Sequence, residues 1–169
     1  REALRWATVL LGGIASPSAL RAISMNRGPS HDNKNYFNEF QSRQVAILAE
    51  LIIPTTSTPG AIVAGVPQFI AMMVSDWYTE AERSIFMAGL DEINYYCQQQ
   101  YNNNFNACSV EQQTQALIHF ESTAKAYVST ASPSLTMQTS DEATPFFSKL
   151  KELTVLGYFT SEIGITQSL

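Results

Sequence analysis

The chain has 169 residues, enough for one sizeable core and few for two, and its 45% hydrophobic content argues against wholesale disorder. Charged residues make up only 15%, against roughly 25% in ordinary soluble domains, and Gln, Asn, Ser and Thr fill the gap. A net charge of −5 with no basic run argues against a nucleic-acid partner, because phosphates require clustered Lys and Arg.

Residues 1–23 have the layout of an export signal. Arg1 and Arg5 precede an apolar run from Ala7 to Ala15, followed by small residues and Pro17. The run is too short to span a membrane, which takes about 20 residues. Arg1-Glu2-Ala3-Leu4-Arg5 looks like the second half of a twin-arginine motif, and the segment also reads as an N-terminal helix. Residues 24–35, with Gly28-Pro29, read as a linker. Residues 36–169 form the folded body.

The first helix of the body is expected over Tyr36–Ile53, with Phe37, Phe40, Gln44, Ile47/Leu48 and Leu51 three or four apart, and Pro54 stops it. Val66-Pro67 opens a second, short helix through Trp77. Thr79-Glu80-Ala81-Glu82 is a capping box, and Phe86, Leu90, Ile93 and Cys97 form the buried stripe of the third helix. Ser109-Val110-Glu111-Gln112 repeats that signature ahead of a fourth stripe, Leu117, Phe120, Ala124 and Val128. After the Ser/Thr/Pro stretch STASPSLTMQTS, Thr144-Pro145 starts a fifth helix with Phe146, Leu150 and Leu153 on one face, and Gly157 is expected to end it. No segment alternates with period two. The expected fold is all-α, a small irregular bundle of about five helices plus the N-terminal one.

Candidate chemistry is scarce. His31 lies in the linker, and His119 sits mid-helix with no cysteine or second histidine one turn away, so neither belongs to a recognisable metal set. Adjacent Asp91 and Glu92 point about 100° apart on a helix and read as a solvated face. No serine sits in a nucleophile elbow, and no glycine pattern suits a dinucleotide. No catalytic, cofactor-binding or metal residue is assigned. Cys97 and Cys108 flank the turn between the third and fourth helices. They read either as a disulfide clamping that hairpin or, for Cys97, as a buried thiol.

One segment has no chemistry and a strong shape: LAELIIPTTSTPGAIVAGVPQFI, from Leu48 to Ile70. It resembles the signature of the gluconate 2-dehydrogenase subunit 3 family, carried here by Ile52, Ile53, Pro54, Thr56, Thr58, Pro59, Gly60, Ala61, Ala64, Gly65, Val66, Phe69 and Ile70. FFSKLKELTVLGYFTSEIG is similar to that family's C-terminal block, through Phe147, Lys151, Thr154, Gly157, Tyr158, Phe159, Thr160, Ser161, Glu162 and Gly164.

The resemblance implies a non-catalytic small subunit of a periplasmic, membrane-associated sugar or sugar-acid dehydrogenase. FAD would sit in a large glucose–methanol–choline-type subunit, with haem c in a multihaem cytochrome subunit. The small subunit would carry the twin-arginine signal and export the folded flavoprotein as its passenger. Family members usually continue past the second block into a tail that wraps the partner, which this chain does not show. Pro54, Thr56, Thr58, Pro59, Gly60, Ala61, Gly65 and Val66, with Gly157, Tyr158, Phe159, Thr160, Ser161 and Glu162, are the expected partner interface. Prolines that fix backbone angles would let such an elbow bind at small ordering cost, or it merely turns the chain within its own core. A free-standing periplasmic binding module and a small independent enzyme are the competing readings.

Overall fold

Helix starts in this chain are set by short polar side chains that serve otherwise unpaired amides. The computed structural model describes residues 36–130 and 145–167. Helix α1 is Glu39–Ile52, begun three residues later than the apolar rhythm suggests because Asn38 and Gln41 form a reciprocal capping box. A helix-sized elbow leads to α2, Val66–Met72, which continues as a single wide π turn, Met73–Trp77. The expected second helix is therefore one α and one π segment. Arg83 closes the π turn by donating to the carbonyls of Val74, Ser75 and Tyr78 at 3.0, 3.1 and 3.2 Å.

Helix α3, Glu80–Tyr101, starts at the Thr79/Glu82 box read from the sequence and ends where Asn102 turns left-handed at φ 56°. A 3₁₀ turn, Phe105–Ala107, follows. Helix α4 is Val110–Thr130; the Ser109 amide donates to Gln112 Oε1 and the Gln112 amide to Ser109 Oγ. Helix α5, Phe146–Thr160, touches every other helix of the body, and α6, Glu162–Gln167, ends the described chain. No strand occurs among the described residues, so the all-α expectation holds.

Phe86 lies at the centre of the core, stacked on Phe37 at 5.9 Å and edge-on to Phe146 at 5.1 Å and Tyr78 at 6.2 Å. The α3 stripe of Phe86, Leu90, Ile93 and Cys97 is fully buried. Gln44 stitches α1 to α3 through a buried bond from Nε2 to the Leu90 carbonyl at 2.8 Å.

Two expectations are corrected. Phe40 stands outside the core at 37% exposure, because the buried stripe of α1 runs through Gln44, Val45, Leu48 and Ala49. Gly157 does not end its helix: α5 runs through it to Thr160, and Gly157 is buried against Phe69. A side chain there would meet Phe69 Cδ1 at 2.6 Å, so this glycine permits close helix approach and stops nothing. The signal segment, the linker with His31, the Thr144 start and most of the Ser/Thr/Pro stretch lie outside the described residues, as does the side chain of Val128.

Candidate functional site

The elbow between α1 and α2 is built around a carboxylate. Glu50, in the last turn of α1, accepts from the Thr55 amide at 2.8 Å and hydroxyl at 2.6 Å with Oε1, and from the Ile62 amide at 2.9 Å with Oε2. Thr55 Oγ1 in turn accepts from the Gly60 amide at 3.0 Å. Backbone bonds from Ala61 to the Ile53 carbonyl and from Val66 to the Ala61 carbonyl close the loop. A Cβ on Gly60 would overlap Glu50 Oε1 and the Thr55 backbone, so only glycine fits where the chain folds back on its clamp. Gly65 sits at φ 76° to cap α2.

Burial pushes the Glu50 carboxyl up, but the bonds from the Thr55 hydroxyl and the Ile62 and Thr55 amides outweigh it and hold the group below its ordinary 4.5. A folded-state value below the unfolded one stabilises the elbow above about pH 4.5 and loses that contribution as pH falls through the folded value. Carboxyl-carbon NMR is expected to place the Glu50 midpoint below 4.5, and Glu50→Gln to remove the acid-linked loosening of the elbow amides. A midpoint at or above 4.5 would refute the clamp.

The two separated sequence blocks meet here. Tyr158, 3% exposed, donates its hydroxyl to the Pro59 carbonyl at 2.8 Å, and Gly157 and Leu156 pack on Phe69. Ser161 forms the corner between α5 and α6, donating to the Tyr158 carbonyl at 2.7 Å and accepting from the Gly164 amide at 2.9 Å. A family model described as Gluconate 2-dehydrogenase subunit 3 matches residues 39–169. The chain belongs to that family. No curated protein and no solved structure matches it. As a member, it is a subunit of a dehydrogenase complex.

The fold sorts the expected interface residues of this family subunit into two faces. Gly60, Ala61, Val66, Gly157 and Tyr158 point inward and are buried. Thr58, Pro59, Gly65, Phe159, Thr160 and Ser161 are half-buried, while Pro54, Thr56 and Glu162 are exposed. The outer rim also presents Ile62 and Val63, 48% and 58% exposed, which the sequence reading passed over. Their signal was available: from Leu51 to Ser75 the chain carries no charged residue, so an exposed apolar pair there has no charged neighbours in sequence.

Elsewhere, an apolar groove of about 280 Å³ lies between Ile85, Gly89, Phe120 and Phe146, with Glu92 as its ionisable group. An open hollow of about 400 Å³ is lined by Glu39, Phe40, Arg43, Asn104, Asn106 and Ala107. Neither is lined by a Cys, Ser or His. No group of three metal-ligating side chains occurs among the described residues. His119 stacks its ring on Tyr96 at 4.5 Å, and Asp91 and Glu92 are exposed, as a solvated face requires.

Proposed function

We propose that this chain is the non-catalytic small subunit of a periplasmic, FAD-dependent sugar dehydrogenase, and that it holds its large flavoprotein subunit through the outer rim of the elbow. FAD belongs to that partner and haem c to a cytochrome subunit, while the twin-arginine-like leader exports the folded pair and the complex stays at the inner membrane. The observation that carries the reading is the elbow itself, without a charged residue from Leu51 to Ser75, braced by Glu50 and Tyr158 and presenting Ile62 and Val63 to solvent. Interface cores are depleted of charge and enriched in apolar groups, and a pre-shaped loop loses little entropy on docking.

Substitution at Gly60 would break the elbow from within, so the informative test is on the rim. Ile62→Asp with Val63→Asp is expected to reduce co-purification of the flavoprotein at least about tenfold, since each strands a charge in a desolvated contact. Helicity of the subunit is expected to stay unchanged because both side chains face solvent. Full recovery of flavoprotein by the double variant would sink the docking face. Flavin bound by this chain alone would sink the non-catalytic role.

A further inference from the structure

The apolar groove between α3, α4 and α5 takes no part in the elbow. Ile85 and Gly89 of α3, Phe120 of α4 and Phe146 of α5 line it. Phe120 continues into a rim of rings, since Tyr96 meets it edge-on at 6.0 Å and His119 stacks on Tyr96 at 4.5 Å. Glu92 is the groove's ionisable group; it is exposed, as is Asp91 beside it. No ion pair among the described residues reaches either carboxylate. Tyr95, 67% exposed and three residues on from Glu92, stands on the same outer side of α3. Cys97 and Cys108, by contrast, are free thiols buried in the core.

An apolar trough edged by carboxylates suits an apolar segment preceded by cations. This chain carries one. Arg1 and Arg5 precede the apolar run Ala7–Ala15, with Leu4 and Trp6 beside them, and Glu2 is the one acid of residues 1–15. Phe37 stacks on Phe86 at 5.9 Å and Phe86 meets Phe146 at 5.1 Å, so the chain enters the body two ring contacts from the groove. From there residues 16–35 span up to about 65 Å when extended, ample to bring the run back. A tether of that length holds the run near the groove at an effective concentration on the order of millimolar. The connector ahead of Pro145 is less suited: residues 131–144 carry Asp141 and Glu142 and no Lys or Arg, a charge that Glu92 opposes.

We propose that residues 1–15 dock in cis into the groove between α3, α4 and α5, the apolar run covering Ile85, Gly89 and Phe120 with Arg1 and Arg5 set against Glu92 and Asp91. A leader held on its own body is withheld from any other partner until that partner competes it away. The groove thus sets how readily the leader is presented. Docking needs only this chain, so the inference does not depend on the flavoprotein contact at the elbow.

The test uses the full chain without a partner, with photoreactive benzoylphenylalanine in place of Trp6, and maps cross-links by peptide mass after illumination. Intramolecular cross-links to residues 85–92 of α3 or 120–124 of α4 are expected. Glu92→Lys, which sets a cation against Arg1 and Arg5, is expected to lower their yield about fivefold, and high salt to lower it in the parent. Ala88→Phe, at an exposed position lining the groove, fills the trough without changing its charge and is expected to lower the yield by a similar factor. Both positions face solvent, so helicity is expected to stay at the parent's level. Cross-links confined to other parts of the body, to residues 131–144 or to a second chain would overturn the proposal. So would a yield that stays at the parent's level in either variant.

Discussion

Glu82→Gln is expected to destabilise the subunit by about 3–5 kcal/mol, the larger of its single-site effects, because it strands a buried cation. Lys149 and Glu82 are each 1% exposed, with Nζ 3.5 Å from Oε1. At that separation they attract without a hydrogen bond, and Nζ has no acceptor among the described residues. Its further support is the Tyr78 ring, 5.2 Å away. Glu82 is better served, since its Oε2 accepts from the Thr79 amide and hydroxyl at 2.8 Å each. One oxygen caps α3 and the other neutralises α5, and a glutamine has a single oxygen for both tasks.

Lys149→Met therefore leaves a carboxylate that is still hydrogen-bonded at a helix N-terminus, and is expected to cost only about 1–2 kcal/mol. Combined with Glu82→Gln it should recover about 2 kcal/mol of the single-variant loss. Urea unfolding of the full chain, followed by circular dichroism, measures the cycle. An additive double variant would show that the two charges do not depend on each other.

Gly89→Val is the second large effect, expected to cost about 3 kcal/mol. Helix propensity argues the other way, since replacing a mid-helix glycine by alanine gains about 1 kcal/mol. Packing wins because Gly89 lies directly beneath Phe146: a Cβ there would overlap the Phe146 Cβ and ring carbons, which sit close to the α5 backbone and have nowhere to go. The helices α3 and α5 would have to separate at the Phe86–Phe146 contact. Phe146→Leu in the Gly89→Val background should restore part of the loss. Thermal unfolding is the readout, and a Gly89→Val variant as stable as the parent would mean that the α3–α5 contact does not depend on close approach at Gly89.

The sequence by itself determined what lies within a turn or two of the chain. The Thr79–Glu82 and Ser109–Gln112 caps were legible because donor and acceptor sit three residues apart. The α3 stripe was legible because its apolar period matches the helix, and both family blocks were legible because each is contiguous. Only the tertiary structure decided that those blocks are one site, joined by Tyr158 and Pro59 across 99 residues. It also decided that the second oxygen of Glu82 belongs to Lys149, that Glu50 folds the elbow, and that Gly157 opens a helix contact where a terminator was expected. The physical reason is the same in each case: caps and stripes are set by short-range hydrogen bonds and periodicity, whereas a buried charge, a clamp or a missing side chain takes its meaning from whichever distant surface arrives against it.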